Sequence, residues 1–137
     1  MDKSIWTIEW SDAISMSNPV IDKEHQQFIT LVNQLNMAIL DRDNKETIVN
    51  IMQRIYTHSE LHFASEERLF AENHYPLADE HTQIHTKLLE TFKQYLEKME
   101  KSLFSKEWIF LGLAIKDLLV EHVVEEDMKY KDYLRTD

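Results

Sequence analysis

Apolar residues recur along most of the chain at alternating steps of three and four, the period of an amphipathic helix. Asn18, followed by a proline, predicts the start of the first helix, because it combines a capping side chain with a fixed backbone angle. Asp43, with Glu46 three residues later, predicts a capping box before the second helix. Pro76 and Ser105 are candidates for opening the third and fourth. The predicted helices cover 19–41, 44–72, 77–101 and 106–125.

Residues 1–17 do not follow the helical period. Trp6, Ile8 and Trp10 alternate with polar residues there, which favours an extended arm that packs its aromatic side chains onto the body. The connections between the predicted helices are short, so neighbouring helices should run antiparallel. We therefore predict a single all-α domain over 1–137, an up-down-up-down antiparallel four-helix bundle with an extended N-terminal arm and a short C-terminal segment.

The composition narrows the chemistry. The 137 residues include one Gly, two Pro and no Cys, which argues against sandwiches, barrels and glycine-rich phosphate loops. The absence of Cys excludes disulfides, iron–sulfur clusters and thiolate zinc sites. The net charge of −10 argues against nucleic acid or an anionic membrane as a partner. Since neither a signal peptide nor a long apolar run is visible, we expect a cytoplasmic protein.

Histidines lie inside the apolar seams of the predicted helices. A lone histidine on such a face is usually an ordinary core residue, but here six of the seven occupy interior positions together with one glutamate. Burying so many polar groups without partners would cost a few kcal/mol each, and a bound metal would satisfy them together. The residues concerned are His25, His58, His62, Glu66, His81, His85 and His122.

The predicted topology collects these side chains at one end of the bundle. The start of the first helix, the end of the second, the start of the third and the end of the fourth all lie at that end. His62 and Glu66, like His81 and His85, are four residues apart and point to the same side of their helix. The candidate ligands in this layer are His25, His62, Glu66, His81, His85, His122 and Asp127.

Asp127 follows His122 by five residues, a spacing that a regular helix does not place on one face. The sequence therefore predicts an irregularity, such as a π-bulge or a terminal turn, over residues 123–126. Five imidazoles and two carboxylates are too many for one ion. With an oxide or hydroxide bridge they would fill eleven of the twelve positions around two octahedral metals, leaving one open to a small ligand. This ligand set suits iron better than zinc or manganese.

Four motifs, in order along the chain, resemble the hemerythrin family, specifically its single-domain bacterial branch. Each motif alone is weak, but the four in register with family spacing are highly specific, and with Trp10 they span nearly the whole chain. They are Ile21-Asp22-x-x-His25-Gln26, His62-Phe63-x-x-Glu66-Glu67, Tyr75-Pro76-x-x-x-x-His81-x-x-x-His85 and His122-x-x-x-x-Asp127-x-x-Tyr130.

The resemblance implies reversible O2 binding at a non-haem di-iron centre, for oxygen storage, delivery or sensing, and not an enzymatic activity. One iron would be bound by His81, His85 and His122 and the other, with the open position, by His25 and His62. Glu66, Asp127 and an oxide or hydroxide would bridge the two. The alternatives are a di-iron oxidase, a peroxidase or nitric-oxide-handling enzyme, and an iron-buffering protein.

The family register and the spacing to Glu66 select His62 over His58, which becomes a core residue or a residue behind the ligands; His74 is expected to be exposed. We expect a monomer whose separate partner could be an oxygen-consuming enzyme or a signalling protein. Six residues next to ligands could form a dry O2 pocket or simply core packing: Phe28, Ile29, Phe63, Leu118, Leu119 and Val123.

Overall fold

The computed structural model describes residues 18–102 and 105–122, which form four helices. The arm, the irregularity predicted at 123–126 and the C-terminal segment lie outside this range. The observed bounds differ from the predicted ones by at most one residue, apart from the predicted end at 125, which falls outside. The helices are α1 (Pro19–Leu40), α2 (Lys45–Glu72), α3 (Ala78–Lys101) and α4 (Ser105–Glu121).

The four helices pack in a closed ring, in which α1 and α3 each contact both α2 and α4. Their antiparallel course is visible at both ends of the bundle. The start of α2 meets the end of α3, where Lys45 Nζ donates a hydrogen bond to the carbonyl of Ser102 at 2.9 Å. At the opposite end, His25 near the start of α1 contacts His62 near the end of α2. The predicted all-α four-helix bundle is confirmed.

A continuous apolar core fills the bundle and draws side chains from all four helices. Its buried members are Phe28, Val32, Leu35, Ala38, Ile39, Ile48, Met52, Ile55, Phe63, Leu88, Phe92, Met99, Ile115 and Leu119. A second, smaller cluster of Ile21, Phe70 and Tyr75 lies where α1 begins and α2 ends. Along each helix these buried residues follow the helical period, and other apolar residues of the same faces are half-buried around them.

The starts of α1 and α2 are capped by asparagine. Asn18 Oδ1 accepts hydrogen bonds from the backbone N–H groups of Val20 and Ile21, each at 3.1 Å, as predicted. The capping box predicted at Asp43 is wrong. Asn44 has the extended backbone immediately before α2, and its Oδ1 accepts from Thr47 N–H at 2.8 Å.

The turn between α2 and α3 contains His74 in the left-handed region, with φ 52, and its side chain is exposed as expected. Pro76 does not open α3 directly, since this helix begins two residues later, at Ala78. The turn closes through a hydrogen bond of 3.2 Å from the Ala78 N–H to the Tyr75 carbonyl. Pro76 therefore lies within the connection, and Leu77 is the residue that precedes the helix.

Gly112 lies in the middle of α4, where a glycine costs about 1 kcal/mol relative to alanine. The structure shows what this residue permits. A Cβ at this position would lie 2.6 Å from Ile39 Cδ1 and 2.7 Å from Asn36 Oδ1, both on α1. The missing side chain therefore lets α1 and α4 approach closely, beside the core.

Candidate metal centre

Six of the seven predicted ligands lie together at one end of the bundle, each of them buried. Five come from α1, α2 and α3, and His122 directly follows α4, which agrees with the predicted topology; the seventh, Asp127, lies outside the described residues. The structure divides the six into two groups of donor atoms, and within each group these atoms all lie within 4.8 Å of one another. The groups are His25, His62 and Glu66, and Glu66, His81, His85 and His122.

The first group joins α1 to α2. The Nε2 atoms of His25 and His62 are 3.1 Å apart, and His62 Nε2 is 3.0 Å from Glu66 Oε1. Nitrogen and oxygen atoms this close, all carrying lone pairs, need a proton or a metal ion between them. The group therefore has the geometry and the donor types to hold a cation.

The second group places three imidazoles around the same glutamate. The ring centroids of His81 and His85 are 4.6 Å apart, and that of His122 lies 5.2 and 5.0 Å from them. His85 Nε2 is 3.3 Å from Glu66 Oε1. Because successive turns of α3 carry His81 and His85, the helix presents both rings to α4 and to Glu66 together.

Glu66 belongs to both groups through a single carboxylate whose side chain is fully buried. A carboxylate with donors of two groups on either side can bridge two metal ions. Neutral imidazole and carboxylate without thiolate is a ligand set that iron accepts, and zinc and manganese accept it as well. The residues present therefore fit a pair of non-haem metal ions.

Comparison with known proteins agrees with this geometry. Residues 17–134 match the family model of the hemerythrin HHE cation binding domain. The chain belongs to the hemerythrin family. Among its relatives, the bacteriohemerythrin of Campylobacter jejuni is 23% identical over 122 residues, covering 88% of this chain and 90% of its own.

Two further relatives have similar coverage. The bacteriohemerythrin of Stenotrophomonas maltophilia is 24% identical over 127 residues, which cover 92% of this chain and 80% of that protein. The one from Pseudomonas aeruginosa is 23% identical over 135 residues, with the same two coverages of 92% and 80%. The likeness therefore extends over nearly the whole hemerythrin domain.

None of the described helices is long and apolar enough to cross a membrane.

The fourth helix changes its winding at the end of the bundle that carries the donor atoms. The regular α-helix ends at Glu121, and His122 lies in a wider π-helical turn. The predicted irregularity concerned residues 123–126, which lie outside the described range. His122 is the last residue that the structure describes before them.

Aromatic rings surround the imidazoles. Phe63 stacks on His85 with ring centroids 3.9 Å apart, and Phe28 meets His62 edge to face at 5.2 Å. Of the other residues predicted for an O2 pocket, Leu119 is buried in the core, Ile29 and Leu118 are half-buried, and Val123 lies outside the described residues. Leu118 and His122 line a cleft between α3 and α4.

Sequence reasoning missed Glu24. Its carboxylate accepts hydrogen bonds from His62 Nδ1 at 2.8 Å and from Ser65 Oγ at 3.1 Å. Burial alone would raise the pKa of the Glu24 carboxyl, but the hydrogen bond and charge interaction with His62 outweigh it and lower the pKa below its ordinary value. The position of Glu24 next to His25 in the sequence does not indicate a contact with His62, because this contact depends on how α1 packs on α2.

His58 lies outside both groups of donor atoms. Its Nε2 is 3.0 Å from the backbone carbonyl of Glu24, to which it donates, and its ring packs edge to face against Phe28. Burial is the main cause that lowers the pKa of His58 below its ordinary value. His58 thus lies behind His62, and both histidines hydrogen-bond to Glu24.

Proposed function

We propose that this hemerythrin binds O2 reversibly at a non-haem di-iron centre, for oxygen storage, delivery or sensing. The observation that carries the proposal is the sharing of Glu66 by two buried groups of donor atoms. Two metal ions held by one carboxylate can act on a single small molecule. In this proposal one iron is held by His81, His85 and His122, the other by His25 and His62, and the bridges are Glu66, Asp127 and an oxide or hydroxide.

The iron pair, when bound, supplies the two electrons that O2 takes up on binding and returns on release. The protein's own residues favour binding over oxidation in two ways. Neutral imidazoles outnumber carboxylates in the proposed ligand set, so less negative charge reaches the metals than in a carboxylate-rich site, and high oxidation states are less favoured. The second contribution comes from the aromatic and aliphatic walls.

Phe28 and Phe63 are buried against the imidazoles of His62 and His85, and Leu119 is buried in the core three residues before His122. Their side chains carry no proton to donate. Cleavage of the O–O bond requires protons, so these walls withhold what an oxidase or peroxidase would need. The proposal therefore assigns the chain a binding function and no enzymatic activity.

The test follows the colour of the iron-loaded protein through one cycle of oxygenation. The purified protein is loaded with Fe2+ and reduced without oxygen; then air is admitted and removed again under argon, with visible absorption recorded throughout. We expect a charge-transfer band that appears with air and disappears under argon over several cycles. His62→Ala should lose the band together with iron, whereas His74→Ala, which changes an exposed turn residue, should keep both.

Two other outcomes point to the competing functions. A band that bleaches irreversibly, or rapid release of peroxide, would replace the proposal by an oxidase, peroxidase or other redox enzyme at the same site. Two bound irons that give no response to O2 would indicate an iron-buffering protein. Full iron occupancy in His62→Ala would overturn the ligand assignment itself.

A further inference from the structure

Glu24 turns away from its neighbour His25 and reaches across to α2. Its two carboxylate oxygens accept from His62 Nδ1 at 2.8 Å and from Ser65 Oγ at 3.1 Å. Its backbone carbonyl accepts from His58 Nε2 at 3.0 Å. Three side chains of α2, on consecutive turns, thus hold this one residue of α1 at the back of the first donor group.

The hydrogen bond to Glu24 determines which nitrogen of His62 faces the metal centre. An ionised carboxylate only accepts hydrogen bonds, so a neutral His62 that donates to Glu24 carries its proton on Nδ1. The lone pair is then on Nε2, which is 3.0 Å from Glu66 Oε1 and 3.1 Å from His25 Nε2. A metal ion binds the unprotonated nitrogen, and this tautomer presents that nitrogen to the shared glutamate.

A second carboxylate lies behind His85 but is placed less well. Glu67 Oε1 is 3.6 Å from His85 Nδ1, beyond hydrogen-bond distance, and its side chain is 37% exposed where that of Glu24 is 20% exposed. Since solvent screens an exposed charge, Glu24 acts more strongly on His62 than Glu67 acts on His85. The better placed carboxylate, Glu24, thus belongs to the donor group that has only two imidazoles.

We propose that Glu24 is a positioning residue that fixes the tautomer and orientation of His62 and strengthens it as a metal ligand. The proposal rests on the proposed function only in assigning His62 to a metal ion. In carboxylate–histidine–metal arrangements, loss of the outer carboxylate weakens metal binding about 10- to 100-fold. Glu24 thus supports a ligand in the donor group that has two imidazoles, where the other group has three.

The test measures metal binding and the tautomer separately, without O2. Metal-free protein is titrated with Co2+, whose visible absorption reports each bound equivalent, and the imidazole nitrogens of the metal-free protein are followed by 15N NMR. Glu24→Ala should weaken the more weakly held equivalent of Co2+ about 10- to 100-fold and give His62 a mixture of tautomers. Glu24→Gln should show a smaller loss, because the amide oxygen still accepts the hydrogen bond but carries no charge.

Glu60→Gln is the matched control, because it removes an exposed glutamate of α2 and changes the net charge equally. It should leave the Co2+ affinity and the tautomer as they are in the parent protein. Unchanged affinity in both Glu24 variants, or an equal loss in Glu60→Gln, would overturn the proposal. If the parent protein binds two metal ions and never responds to O2, the proposed function fails while the role of Glu24 is still decided by this titration.

Discussion

Glu66→Gln should disrupt both halves of the metal centre with one isosteric change. Glu66 Oε1 is 3.0 Å from His62 Nε2 and 3.3 Å from His85 Nε2, so one carboxylate serves both donor groups. Glutamine preserves the shape of the side chain and removes its charge. The larger group then keeps three imidazoles and the smaller group two.

The smaller group is expected to lose its ion, so iron should fall from two per chain to one or fewer. Loss of an outer carboxylate costs up to about 100-fold in affinity, and loss of a ligand should cost at least as much, about 2.8 kcal/mol. For a chain of 137 residues, about 1 kcal/mol corresponds to roughly 3–4 °C in Tm. In saturating iron the variant should therefore melt about 10 °C below the parent protein.

The assay combines iron analysis of anaerobically loaded protein with thermal melts followed by circular dichroism, with and without iron. Without iron the variant should melt close to the parent protein, because the isosteric amide leaves the packing unchanged. Glu60→Gln is the control, since this exposed glutamate of α2 lies outside both groups. Two irons per chain and an unchanged Tm in Glu66→Gln would show that the two groups do not depend on a shared glutamate.

Three further predictions test the fold around the site. Gly112→Ala should lower the free energy of unfolding by up to about 2 kcal/mol in urea melts, because overpacking outweighs the gain in helix propensity. Ile39→Val removes the Cδ1 atom that would lie 2.6 Å from the new Cβ and should reduce that penalty. An equal penalty in both backgrounds would contradict the close approach of α1 and α4. Asn44→Ala should cost about 1 kcal/mol and Asp43→Ala less than about 0.5 kcal/mol, and the reverse order would contradict the cap. Burial lowers the pKa of His58 in the folded state, so the contribution of His58 to stability is complete above about pH 6.5 and decreases as the pH falls further. His58→Gln should therefore make the stability of the metal-free protein decline less steeply below this pH. An unchanged slope would refute this prediction.

The sequence could predict the bundle and the metal layer because both depend on period and topology. The alternation of three and four along each helix decides which side chains face inward, and an up-down course decides which helix ends meet. His25 and His122 are 97 positions apart in number, yet each lies at a helix end that the topology assigns to the same layer. No side-chain detail was needed for this prediction.

The parts that the sequence could not predict depend on the packing angle between helices and on the residue at which each helix begins. Glu24 lies beside the inward face of α1, so its contact with His62 follows from the packing angle of two helices and not from spacing. Asp43 and Asn44 are both capable caps, and the left-handed residue Arg42, with φ 58, lies in the connection just before them. From the sequence alone Gly112 is expected only to destabilise its helix, and its neighbours on α1 show that it allows α1 and α4 to approach closely.

The separation between apolar core and donor layer has a consequence for how the protein matures. The side chains that form the main core extend through all four helices and include none of the donor residues. Small zinc domains, by contrast, fold only when the metal arrives. The apolar core of this bundle needs no metal ion, so the metal-free chain should fold first and bind its metal ions afterwards.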